Sequence, residues 1–180
     1  TLSREDLFRA DDYTARAKRI ELQGTTRDLS SYLASLEMEI VFEPFNAYGR
    51  NRITQLINKS NQFNLTSRRY SETEIAPMET DPSVFTLQVR LRDRFGDNGM
   101  ISVVICRKNP TFWEIDTWLM SCRVLGRGVE TAVLGELARN ASAAGVSELR
   151  GYFIPSGRND MVRDHYAKLG FDQVGEYGRL

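Results

Sequence analysis

The chain has 180 residues, 41% hydrophobic and 27% charged, which fits one soluble domain with a core, or such a domain with an added arm. Lys and Arg number 24 and so do Asp and Glu, so zero formal charge supports neither nucleic acid nor membrane as a general partner. No apolar run is long enough to span a bilayer and no secretory leader is evident; two cysteines and one histidine exclude a disulfide framework and a histidine-rich metal site, so a reduced cytoplasm is expected.

Residues 1–37 read as a charged, helix-prone arm. Helices are expected over residues 12–21 and 28–37, the second capped by Ser30. Residues 38–43 form a short strand that Pro44 ends. Residues 51–59 form a helix with Ile53, Leu56 and Ile57 on one face. The next stretch holds Asn61, Gln62, Asn64, Arg68 and Arg69. Its composition alone reads as a solvated loop, although so many amides, hydroxyls and arginines also suit a polar or phosphorylated ligand. Ser71 and Glu74 form a capping box for a short helix ending at Ala76.

Three strands follow, over residues 84–92, 100–107 and 112–120. Asp97-Asn98-Gly99 is predicted as the first turn between them and Asn109-Pro110 as the second. A glycine loop over residues 121–130 leads into an amphipathic helix, 129–144. Val129, Val133, Leu134, Leu137 and Ala138 line one face of that helix, and Gly145 ends it. A strand over 147–154, a helix over 159–169 and a last strand over 171–177 complete the chain. The order predicts an α+β fold, a mixed central sheet with helices on both faces. Strand 112–120 should run parallel to strand 147–154 through a right-handed crossover. The glycine loop then lies where two strands splay apart, a usual place for a ligand.

A strand, a glycine loop and a helix start make an anion site, because free N–H groups and the macrodipole face the same way. Gly126 and Gly128 let the backbone approach a ligand; Arg123 and Arg127 add charge and fork-like donors. Cys122 stands at the strand end, beside an arginine and near a helix N-terminus, surroundings common to reactive thiols. It is the candidate nucleophile, whereas Cys106, mid-strand among valines and isoleucines, belongs to the core. On strand 112–120, Glu114, Asp116 and Trp118 should share one face, opposite Ile115, Thr117 and Leu119. Asp116 is the first candidate base and Glu114 the second. His165 is expected to be exposed.

Two resemblances add to this. Arg123-Val124-Leu125-Gly126-Arg127-Gly128 resembles the acyl-coenzyme A loop of the GCN5-related N-acetyltransferases (GNATs), Arg/Gln-x-x-Gly-x-Gly/Ala. Asn159 and Tyr166-Ala167-Lys168-Leu169-Gly170-Phe171 resemble a second signature of that superfamily. The resemblance covers about residues 38–180 and implies a GNAT fold. It implies that residues 123–128 hold the phosphate of coenzyme A or of a carrier-bound phosphopantetheine, and that Tyr166 serves as proton donor to a thiolate. No tightly bound cofactor is implied.

The chain is also similar to FkbH-like proteins through Asn61-Gln62-Phe63-Asn64-Leu65-Thr66, Arg68-Arg69-Tyr70, residues 92–99 and Met120-Ser121-Cys122-Arg123-Val124-Leu125-Gly126-Arg127. This resemblance implies the carboxy-terminal acyltransferase half of a glyceryl transferase/phosphatase. The haloacid-dehalogenase-type phosphatase signature Asp-x-Asp-x-Thr is absent, so residues 1–37 would link to a phosphatase domain that lies elsewhere, and residues 38–180 would form the transferase. The implied reaction moves a glyceryl group from 1,3-bisphosphoglycerate to the phosphopantetheine thiol of an acyl carrier protein, in polyketide and related biosynthesis, with passage through Cys122 as one route. Asn61, Gln62, Asn64, Arg68, Arg69 and Asn159 become the implied substrate set. The alternatives are an acetyl-coenzyme A-dependent N-acetyltransferase and a non-catalytic domain that docks a carrier protein.

Overall fold

The computed structural model describes residues 34–175. The helix expected over 12–21 lies outside them, as does most of the one expected over 28–37. The chain divides into two compact units. Of the described residues, one unit holds 34–41 together with Arg90–Gly99; the other holds Phe42–Val89 and 100–175.

Among the described residues, five strands form one sheet in the order β1 (Glu39–Glu43), β2 (Val84–Asp93), β3 (Gly96–Lys108), β4 (Phe112–Met120) and β5 (Glu148–Gly151). The turn between β2 and β3 is at Arg94 and Phe95, not at Asp97-Asn98-Gly99. The Asp93 carboxylate accepts the N–H groups of Phe95 and Gly96 at 2.9 and 3.1 Å, which fixes the turn at Arg94 and Phe95. Asn98 is therefore buried within β3, and Gly99 kinks that strand at φ 69°.

In the larger unit, α1 (Arg50–Lys59) and α2 (Glu72–Ile75) cover one face of the sheet. Ile53, Leu56 and Ile57 recur at helical spacing on α1, and they meet Val103, Ile105 and Leu119 in one apolar cluster. The capping box at Ser71 and Glu74 is complete in both directions. A 15-residue helix, α3 (Val129–Ala143), carries the chain from β4 to a parallel β5. It buries Val129, Val133, Leu137 and Ala141, a stripe at every fourth residue; Ala138 is exposed. The long helix expected over 159–169 is instead a 3-10 turn, Asp160–Val162, and a four-residue helix, α4 (His165–Lys168). Residues 171–175 form no strand, and the rest of the expected last strand lies outside the described residues.

One irregularity decides which side chains share a face. β3 and β4 pair in register except at a bulge: Ile105 faces Thr117, but Cys106 faces Ile115, leaving Asp116 extra. Directly opposed residues share a face. Trp118, opposite Val104, therefore lies with Ile115, opposite Cys106. Glu114, opposite Arg107, and Asp116, whose carboxylate Arg107 approaches at 3.7 Å, share a face as expected, but Trp118 leaves them and Thr117 joins them, because strict alternation does not survive an inserted residue. Asp116 lies beside Thr117, whose hydroxyl donates to its Oδ2 at 2.9 Å.

Candidate functional site

β5 pairs with β4 only over Phe112–Ile115, so the far half of β4 has a gap on that side. The gap is filled by the chain itself. Leu65 N donates to Trp118 O at 3.0 Å, and Met120 N donates to Phe63 O at 3.1 Å. On the other side, Ile154 N donates to Leu65 O at 2.8 Å. Residues 63–65 thus act as a short inserted strand, antiparallel to β4 at Asn64 and Leu119. The splay that the strand order predicts exists, but its main-chain groups are already paired.

This insertion explains the polar stretch around it. Residues 63–66 are buried, contrary to the solvated loop that composition suggests. Asn64 Nδ2 donates to Ser60 O, and its Oδ1 accepts Ser67 N. Arg69 reaches back to the carbonyls of Ile57 and Ser60 at the end of α1 and to Asn61 Oδ1. Arg68 forms an ion pair with Asp116. Asn159 is fully buried; its Nδ2 donates to Asn64 O and Ile154 O, both at 2.9 Å, and its Oδ1 accepts Ser156 N. Of the six residues expected at a substrate, Asn64, Arg68, Arg69 and Asn159 hold the loop together, while Asn61 and Gln62 line a cleft.

That open cleft has a volume of about 550 Å³. Gln62, Ser121 and Cys122 line it, with apolar contributions from Leu56, Phe63 and Met120. Cys122 is exposed, and its Sγ stands 3.7 Å from Gln62 Oε1, a thiol-to-amide hydrogen bond. Cys106 is fully buried in β3, and burial pushes its thiol well above the ordinary range.

Cys122 opens a 3-10 turn, Cys122–Val124, that anchors on buried Val124. The glycine loop follows. Arg127 donates to the carbonyl of Arg123 at 3.3 Å, and Arg123 Nε donates to Ser121 Oγ at 3.2 Å. Gly126 and Gly128 have φ of 76° and 78°, conformations that favour glycine. Gly128 is the N-cap of α3 and no side chain caps that end. A Cβ at either glycine would meet nothing within 4 Å. Open space beside an uncapped helix start suits the approach of an anion.

The two other expected catalytic residues do not line this cleft. Asp116 is 4% exposed. Its Oδ1 meets Arg68, with Arg107 Nε at 3.7 Å, and its Oδ2 accepts the Tyr70 hydroxyl at 2.7 Å. Burial, and then the Asp116 carboxylate, raise the pKa of that phenol. Glu114 accepts the Tyr152 hydroxyl at 3.2 Å.

Tyr166 lays its ring over Gly151, where a Cβ would come within 2.4 Å of the ring. Its hydroxyl is fully buried, and burial raises its pKa far above the phenol range. His165 is 7% exposed rather than solvated, edge-on to Trp118 at 4.4 Å and to Phe63 at 5.2 Å. Burial, with Lys168 nearby, lowers its pKa to about 4. The one visible sign in the sequence was local: His165 precedes the tyrosine that packs on the sheet. No group of three or more metal-binding side chains occurs among the described residues, and no helix among them is long and apolar enough to cross a membrane.

No protein-family model matches this chain, and no curated protein sequence does either. Solved structures do. One is the aminoglycoside 6'-N-acetyltransferase AAC(6')-Ih from Acinetobacter baumannii, 11% identical, with a TM-score of 0.60 over 79% of this chain and 97% of that one. Another is the ribosomal-protein-S18-alanine N-acetyltransferase from Escherichia coli, 14% identical, TM-score 0.57, covering 76% and 80%. A Trypanosoma brucei acetyltransferase is 16% identical, TM-score 0.56, covering 79% and 99%. The fold is that of the GCN5-related N-acetyltransferases. Within this GNAT fold, the inserted residues 63–65 and the exposed Cys122 lie at the end of β4 where the glycine loop begins.

Proposed function

We propose that this chain is an acyltransferase. The glycine loop holds the phosphate of a coenzyme A or pantetheine carrier, and the cleft beside Cys122 receives the acyl group. The observation that carries this reading is the exposed thiol at the end of β4, hydrogen-bonded to Gln62 and directly preceding the loop. Arg123 and Arg127 add cationic donors at the loop, and the open backbone at Gly126 and Gly128 admits close approach.

For donor and acceptor, the structural neighbours support acetyl transfer from coenzyme A to an amine: several are named N-acetyltransferases, and one was solved with coenzyme A. The exposed thiol and the resemblance to FkbH-like proteins favour a second reading, glyceryl transfer to the pantetheine thiol of an acyl carrier protein. In that reading the Cys122 thiolate attacks the acyl carbon of 1,3-bisphosphoglycerate. The acyl carbon–oxygen bond breaks, inorganic phosphate leaves, and a phosphoglyceryl thioester remains. The carrier thiol then attacks that thioester, and the Cys122 thiolate departs. A haloacid-dehalogenase-type phosphatase domain would remove the remaining phosphate.

Intact-protein mass spectrometry separates these readings. The chain and Cys122→Ala are each incubated with acetyl-coenzyme A and an amine panel, and separately with 1,3-bisphosphoglycerate with and without holo carrier protein. An acylated amine formed by both proteins supports acetyl transfer. A phosphoglyceryl adduct on the wild type alone supports passage through Cys122. Carrier binding without acyl transfer under any condition would leave a docking domain and refute the enzyme reading.

A further inference from the structure

The cleft beside Cys122 is lined by Lys59 and Arg158 as well, and no carboxylate lines it. Most other basic side chains near an acid are paired: Arg50 with Glu79, Arg68 with Asp116, Arg139 with Glu136, Arg150 with Glu148 and Arg163 with Asp160. Among the described residues, neither Lys59 nor Arg158 has an ion-pair partner. Lys59 sits in the last turn of α1, where the helix dipole favours a cation. The dipole does not account for Arg158, which comes from a loop far along the chain. Two uncommitted cations therefore share one cleft with the amides of Asn61 and Gln62 and the hydroxyls of Ser60 and Ser121.

We infer that this cleft is a second anion site, separate from the glycine loop, in which Lys59 and Arg158 hold a phosphate monoester on the substrate beside Cys122. Two positive charges with no lining acid match a dianion better than a single carboxylate. The neutral donors around them match the oxygens of a small polyol. The inference rests on the acyl-transfer reading for its biological sense, but its test needs no turnover, so either can fail alone.

The test uses Cys122 as the reporter. Only two cysteines are present and Cys106 is fully buried, so alkylation by iodoacetamide of the folded chain reads Cys122. The rate is followed by intact mass with glycerol 3-phosphate, glycerate, glycerol or sodium chloride at matched ionic strength. Glycerol 3-phosphate should slow alkylation several-fold, and glycerol and chloride should not. Lys59→Gln and Arg158→Gln should each raise the half-protecting concentration about tenfold, the loss of one charge-assisted contact. Lys59→Arg should keep most of the protection, which separates lost charge from lost fold. Equal protection by glycerol or chloride, tighter protection by glycerate than by the phosphate, or an unchanged half-protecting concentration in both glutamine variants would overturn the site.

Discussion

Asn159 Nδ2 donates to the main-chain oxygen of Asn64 at 2.9 Å, joining segments 95 residues apart. The same amide reaches Ile154 O, so one buried side chain holds both edges of the gap beside β4. Asn159→Ala leaves those two carbonyls and the Ser156 N–H short of partners. Buried unsatisfied groups cost about 1–3 kcal/mol each, and partial relaxation should leave a net loss of about 3 kcal/mol. Asn159→Asp should be worse, because a carboxylate can only accept and would face two carbonyl oxygens. Urea denaturation should rank wild type above Asn159→Ala above Asn159→Asp. Hydrogen exchange should show early loss of protection at Leu65 and Met120. An Asn159→Ala chain of wild-type stability would show that this clamp is not what holds residues 63–65.

Asp116 is a brace in its geometry, whatever else it does. Both oxygens are engaged, by Arg68 and Arg107 on one side and by Tyr70 and Thr117 on the other. Asp116→Asn weakens the pair with Arg68, whose own side chain is one-third exposed and partly screened. The expected cost is about 1–3 kcal/mol, below that of breaking a fully buried pair. If Asp116 acts by positioning, Tyr70→Phe and Arg68→Ala should reproduce part of the loss in both stability and acyl transfer. A base would behave differently: Asp116→Asn would abolish turnover at nearly unchanged stability, and Tyr70→Phe would leave turnover intact. Denaturation midpoints and turnover measured on the same three variants distinguish the two.

The architecture was legible in the sequence because most of its signals are local. Periodic apolar residues announced α1 and α3, alternation announced β4, and the Ser71 capping box announced α2. What was not legible depends on contacts between distant residues. Residues 63–65 look polar because their partners, Trp118, Met120 and Ile154, are main-chain groups that no composition reveals. The bulge at Asp116 is a property of two strands together, so reading β4 alone put Trp118 on the wrong face. Asp97-Asn98-Gly99 carries a strong turn signal, yet the Asp93 carboxylate claims the turn first. The cleft itself joins residues from three separate stretches, and only Cys122 and its two amide neighbours could be named in advance.

His165 makes stability depend on pH. Its folded pKa is about 4 because burial disfavours the cation, whereas an unfolded histidine titrates near about 6.5. Below about 6.5 the unfolded chain binds a proton that the folded chain refuses, so this contribution favours folding at neutral pH and is lost as pH falls. Between pH 7 and pH 5 the linkage predicts a loss of about 2 kcal/mol, levelling off near pH 4. His165→Phe keeps an aromatic ring against Trp118 and Phe63 but cannot titrate. Its urea midpoint should change less between pH 7 and pH 5 than that of the wild type. Equal pH dependence in the two chains would place the titration elsewhere.

Gly128 separates backbone strain from ligand contact. Its φ of 78° is costly for a residue with a Cβ, about 1 kcal/mol for alanine, although the space around it is open. Gly128→Ala should therefore lower stability by roughly that amount, with no added cost from crowding. If the start of α3 receives a carrier phosphate, the methyl group also stands where the ligand must approach the backbone, and affinity should fall further than stability does. Gly135 lies within α3 at ordinary helical angles and serves as the control, because Gly135→Ala should be neutral or slightly stabilising. Isothermal titration with coenzyme A should show weaker binding for Gly128→Ala by about tenfold and unchanged binding for Gly135→Ala. Unchanged binding in both would remove the phosphate from this end of the helix, and with it the role given to residues 123–128.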